Sequence, residues 1–155
     1  MLDGILKKIF GDKNQKDLNE LLPIVDLTNE AHEKLQSISD DELRNKTKEF
    51  KEIIIDSCIS FRNEIKDLKN NANSDLLNIS EKEAIYEKIE SIEKEENESI
   101  ESTLLEIMPS AFAVVKETSR RLAENGQLKV KANDNDIDLA NKLDAVSIIG
   151  EHAIW

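Results

Sequence analysis

Residues 39–69 read SDDELRNKTKEFKEIIIDSCISFRNEIKDLK. Ser39 followed three positions later by Glu42 is a capping box, in which each residue satisfies the other's free backbone N–H at a helix start. Leu43, Thr47, Phe50, Ile54, Phe61, Ile65 and Leu68 then recur at spacings of three, four or seven. That places them on one helical stripe and predicts a helix to about Lys69. Asn70-Asn71-Ala72-Asn73-Ser74-Asp75 breaks it, because Asn, Ser and Asp hydrogen-bond locally in turns.

Toward the C-terminus, Ser80 and Glu83 offer a second capping box, and Ile85, Ile89, Ile92, Glu96, Ser99, Thr103 and Ile107 continue the helical spacing. The short link between the two runs predicts an antiparallel αα-hairpin with arms of about 40 Å. Met108-Pro109 reads as the end of the second arm, and Ser110 as the cap of a further helix, Ala111 to Glu124. Phe112, Val115, Ser119 and Leu122 would be the core face of that helix, and Asn125-Gly126 would close it. Beyond it the pattern changes. Leu128, Val130 and Ala132 alternate as in a strand, 134–142 suits a short helix, and 145–155 around Gly150-Glu151 suits a β-hairpin. The expected fold is thus mainly α, with a long αα-hairpin and a small C-terminal β-hairpin. The chain stops on Trp155 inside the last strand, which reads as an imposed end.

Toward the N-terminus, Lys16 to Leu35 reads as helical, with Leu18, Leu21, Leu22 and Val25 as its apolar face and Pro23 as a restart or kink. Before it, Leu2, Ile5, Leu6, Ile9 and Phe10 form one apolar stripe, Lys7 and Lys8 lie off it, and Gly11 is a natural stop. Two readings stand: a basic amphipathic helix for a membrane surface or partner groove, and an ordinary helix packed on its own domain.

Charge narrows the function classes. The net charge is −12, yet Met1 to Lys16 carries four Lys against two Asp. Glu81 to Glu106 carries ten Glu against three Lys, a solvated face or an acidic binding surface. Such a chain is a poor nucleic-acid binder, since phosphate contacts need clustered Lys and Arg. Cys58 is the only cysteine, which rules out an intrachain disulfide and suits a cytosolic protein. It reads as a small apolar core residue.

No catalytic pattern emerges. The glycines Gly4, Gly11, Gly126 and Gly150 lack the spacing of a phosphate loop or a dinucleotide fingerprint. Asp134, Asp136 and Asp138 begin like a calcium loop, but Leu139 stands where the sharp turn needs Gly, and Ala145 where a bidentate Glu is needed. His32 and His152 have no metal-ligand spacing, and His32 reads as a surface or packing residue.

Three stretches, in order, resemble SecA preprotein translocase ATPases: Ile5 to Leu18, with its Phe10-Gly11 step; Leu35 to Phe50, with Ser39-Asp40-Asp41-Glu42-Leu43-Arg44-Asn45-Lys46-Thr47; and Met108-Pro109-Ser110-Ala111-Phe112-Ala113-Val114-Val115-Lys116-Glu117-Thr118-Ser119-Arg120-Arg121. The hairpin at about 53–107 stands where shorter members have a small loop, and 125–155 resembles an extra segment of longer branches. The resemblance implies that 1–155 is the N-terminal region of a translocase motor. Within it, 1–11 would be an amphipathic helix, 53–107 an inserted hairpin and 110–155 the start of the first nucleotide-binding domain, an incomplete beginning of an α/β fold. The family's adenine-recognition glutamine and phosphate loop would lie beyond Trp155. Catalytic, cofactor-binding and metal residues are therefore expected to be absent here, with ATP and Mg belonging to the parent.

The parent would couple ATP hydrolysis to preprotein export through the SecYEG channel, from the cytoplasmic face of a bacterial cell membrane. Leu2, Ile5, Leu6, Lys7, Lys8, Ile9 and Phe10 would contact acidic lipid, the channel or a second protomer. The competing reading is a stand-alone helical interaction module that uses the hairpin as a docking arm.

Overall fold

The computed structural model describes the backbone of residues 2–74 and 76–155, and side chains from Lys16 onward except Asp75. Three long helices come first: α1 (Leu2–Leu35), α2 (Asp40–Ala72) and α3 (Ile79–Asn125). A small α/β element follows, with β1 (Lys129–Lys131), α4 (Asp134–Ala140), β2 (Ser147–Ile149) and β3 (His152–Ile154). The chain divides into two units, Thr47–Met108 and the combination of Met1–Lys46 with Pro109–Trp155.

The first of these units is the antiparallel hairpin. Ile65, Ile89 and Ile92 form its buried core, with Phe61, Leu68 and Ile85 packed around them. Farther along, the seam turns polar. The Ser99 hydroxyl donates to the Ser57 carbonyl at 3.0 Å, and Arg62 Nε donates to Glu96 Oε1 at 2.7 Å. Lys69 pairs with Glu93 and Lys88 with Glu64 across the same interface. Cys58 is buried there, its thiol 3.3 Å from the Ile54 carbonyl. Of the ten Glu between 81 and 106, all but Glu96 are exposed, so the run is a solvated face.

The cap of α3 is not the expected one. Asn78 replaces Ser80: its Oδ1 accepts from Glu81 N at 3.0 Å, and Glu81 Oε2 accepts from Asn78 N at 2.9 Å. Asn and Ser cap equally well, and each has a Glu three positions on, so local sequence does not separate the two boxes.

In the other unit, Leu35, Leu43 and Ala113 form a buried cluster with Ala31, Ile38 and Val114 around it. The Ser39 box forms as read: Glu42 Oε2 accepts from Ser39 N at 2.7 Å, and Ser39 Oγ accepts from Glu42 N at 3.2 Å. The Ser39 backbone N–H, reinforced by its hydroxyl, holds the Glu42 carboxyl below its ordinary value.

Three expectations about helix ends are corrected. Gly11 does not stop α1, Pro23 lies inside that helix, and Pro109 lies inside α3, so no separate helix begins at Ser110. A helical Gly costs only about 1 kcal/mol and a Pro about 3, which the turns on either side can outweigh. The stop at Gly126 is real. It takes a positive φ of 69° and donates to the Leu122 carbonyl.

The C-terminal hairpin gains a third strand, in the order β1-β3-β2, all antiparallel. Val130 and Ile148 both register on Ala153. Leu128, Val130, Val146 and Ala153 turn inward. Gly150, with φ 60°, opens the two-residue turn between Ile149 and His152 that only glycine enters readily.

Candidate functional site: a buried ionic junction

The charged cluster in the unit containing both termini is built from one face of α3. Ala113, Glu117 and Arg121, spaced at i, i+4 and i+8, are buried. Glu117 has no exposed surface. Arg120 clamps it with Nε to Oε2 at 2.9 Å and Nη2 to Oε1 at 2.7 Å, and Arg121 Nε donates to Oε1 at 2.7 Å. Hydrogen bonding from Arg120 is the main cause that pulls the Glu117 carboxyl down to about 2. Burial opposes it and Arg121 reinforces it. Arg120 also pairs with Glu124. His32 is buried with Nε2 3.0 Å from Glu117 Oε2, but the contact lacks hydrogen-bond alignment.

Arg121 links three chain segments. Its Nη2 donates to the carbonyls of Leu35 at 2.9 Å and Ile38 at 2.7 Å, and its Nη1 to Asp40 Oδ1 at 2.6 Å. The carbonyls that end α1, which have no intrahelical partner, thus find a cation. The first turn of α2 reaches the sheet: Asp40 Oδ2 accepts from Lys129 N, and Asp41 Oδ1 accepts from Lys131 N at 2.7 Å. Arg44 donates to the Lys131 carbonyl and, at 2.7 Å, to Asp136 Oδ1. Asp136 is fully buried and also closes a capping box with Asn133. Burial pushes its carboxyl up, but bonds from Arg44, the Asn133 backbone and the Trp155 side chain outweigh that and hold it below the usual range.

This chemistry is organisational. A carboxylate held at about 2 by two guanidiniums is a poor proton acceptor near neutral pH. Asp136, the middle residue of the calcium-like run, serves Arg44. Among the described residues, no group of three or more His, Cys, Asp or Glu is placed to hold a metal ion. His32 proves to be a packing residue beside Glu117. The side chains of Leu2, Ile5, Leu6, Lys7, Lys8, Ile9 and Phe10 lie outside the described residues, so the structure brings none of them to this junction. Sequence reasoning missed the junction itself. Its one local signal was Glu117 with Arg120 and Arg121 at i+3 and i+4, the spacing of helical ion pairs.

The expected core face of α3 is also corrected. Phe112, Val115, Ser119 and Leu122 all point outward, and the charged face is the buried one. On α1, Leu18, Leu21, Leu22 and Val25 are likewise exposed. Among the described residues, no helix is long and apolar enough to cross a membrane.

A family model described as the SecA DEAD-like domain matches residues 6–133. The chain is 42% identical over 154 residues to the protein translocase subunit SecA of Cytophaga hutchinsonii, covering 98% of this chain and 14% of that protein. It is 38% identical to the subunit of the same name in Christiangramia forsetii, with 99% and 14% covered, and 40% identical to that of Porphyromonas gingivalis, with 97% and 13% covered. The chain therefore spans about a seventh of the length of these relatives. An alignment of 154 residues leaves no room for loss of the hairpin, so the Cytophaga protein has a counterpart to it. No solved structure matches the chain.

Proposed function

The chain belongs to the SecA DEAD-like domain family, and from that membership we propose that it works as the N-terminal part of a translocase subunit that couples ATP hydrolysis to preprotein export through the SecYEG channel. The observation that carries this reading is the match along 98% of the chain to a translocase subunit. In this reading ATP and Mg bind to the parent beyond these residues, and the chain alone is not an enzyme. Residues 53–107 are an inserted hairpin, and 110–155 begin the first nucleotide-binding domain. The ionic junction fits a scaffold role, since Arg121 and Arg44 fix the ends of helices rather than face a substrate. Leu2, Ile5, Leu6, Lys7, Lys8, Ile9 and Phe10 supply contacts to acidic lipid, the channel or a second protomer at the cytoplasmic face of the membrane.

The test is a chimera in which this chain replaces the matching residues of the Cytophaga hutchinsonii protein, expressed in cells depleted of their own subunit. Restored processing of a signal-bearing reporter is expected. Continued precursor accumulation, with the chimera folded and abundant, would overturn the reading.

A further inference from the structure

Between Pro109 and Asn125, α3 is turned the opposite way from an ordinary amphipathic helix. It buries Glu117 and Arg121 inside its own unit and shows Phe112, Val115 and Leu122 to solvent, at 58%, 63% and 43% exposure. These three follow one another at i, i+3 and i+10, with the small Ser119 between, and so lie on one stripe. A helix that spends its inner face on charge gains little from apolar burial, unless a second surface covers the outer stripe. We propose that this stripe is where the rest of the parent's DEAD-like domain packs, through an apolar helix groove or sheet face of the same polypeptide. The proposal rests on the reading of the chain as part of a longer translocase subunit.

Two observations favour that occupant over a second copy. The matched family domain covers residues 6–133, so the stripe lies inside a domain and not at its margin. The relatives carry about six-sevenths of their length outside the matched region, ample chain to supply the cover. A surface on the same polypeptide also meets the stripe at a high effective concentration, which a free partner lacks.

Thiol labelling tests this in a background free of other reactive cysteines. Val115→Cys is compared with Leu76→Cys, a control in the hairpin connection at 93% exposure. In the 155-residue chain both are expected to react at similar rates. In the Cytophaga chimera Val115→Cys is expected to slow at least tenfold, while Leu76→Cys does not. The same protection should appear when the free chain is mixed with the Cytophaga protein lacking its matching residues, which needs no folded chimera. Equal reactivity of Val115→Cys in every setting overturns the proposal. So does protection in the chain alone that grows with its concentration, since that assigns the stripe to a second copy. Protection in a chimera that fails to export would refute the functional reading and leave the packing proposal standing.

Discussion

Glu117 is a buried carboxylate whose oxygens take three donated hydrogen bonds from two arginines. Removing its charge leaves Arg121 buried with Asp40 as its remaining ionic partner. Breaking a buried pair from one side costs about 3–5 kcal/mol, because the surviving charge keeps its desolvation penalty. Glu117→Gln should therefore lower stability by roughly 3 kcal/mol at neutral pH, read from urea unfolding. The pH dependence has a definite sign. The folded carboxyl titrates at about 2 against an ordinary 4.5. Its contribution is thus complete above the ordinary value and lost as pH falls from there toward 2. The unsubstituted chain should lose more stability than Glu117→Gln between pH 7 and pH 3. Equal losses in the two proteins would show that Glu117 is not held in its charged form by the fold.

At the scale of elements, Pro109 inside α3 removes a backbone donor and leaves the Leu105 carbonyl without its usual i+4 partner. Pro109→Ala restores that donor and should raise stability by up to about 3 kcal/mol. An unchanged or lower urea midpoint would mean that the local geometry has adapted to the proline. The same residue shows how far the sequence could be read. Period and caps located α2, the hairpin, α4 and the strands, because Ile65, Ile89 and Ile92 answer one another locally and Ser39 caps only the helix that starts beside it. Pro109 and Gly11 misled, because a breaker's cost is local while the energy that overrides it comes from turns on both sides. The face of α3 misled for a different reason. Phe112 and Val115 mark where apolar contact is wanted, but nothing in a single stripe says whether the cover lies within these residues. Glu117 and Arg121 look like surface pairs until Leu35, Ile38 and Asp40, distant in sequence, are brought beside them.

Across the whole chain, charge is distributed unevenly, and that bears on the membrane contact proposed for the first residues. Met1 to Lys16 is a basic patch, with four Lys against two Asp, in a chain of net charge −12. The acidic excess is concentrated in α3 between Glu81 and Glu106, on a face that stays in water. A short apolar stripe alone gives marginal affinity for a bilayer. Each Lys held near an anionic surface adds about 1 kcal/mol, so Lys7, Lys8, Lys13 and Lys16 together can decide whether the helix stays bound. The acidic remainder is repelled by the same surface, but charges beyond the screening length of about 10 Å at 0.1 M salt contribute little. The chain should therefore co-sediment with vesicles containing acidic phospholipid and not with neutral ones, and added salt should weaken the binding as the Lys contribution is screened. A version lacking residues 1–11 should lose it. Equal binding of both versions, or equal binding to neutral and acidic vesicles, would remove the N-terminal stripe from the proposed contact surface. Binding that survives high salt but disappears with the deletion would instead place the affinity in Leu2, Ile5, Leu6, Ile9 and Phe10 and leave the lysines without a part in it.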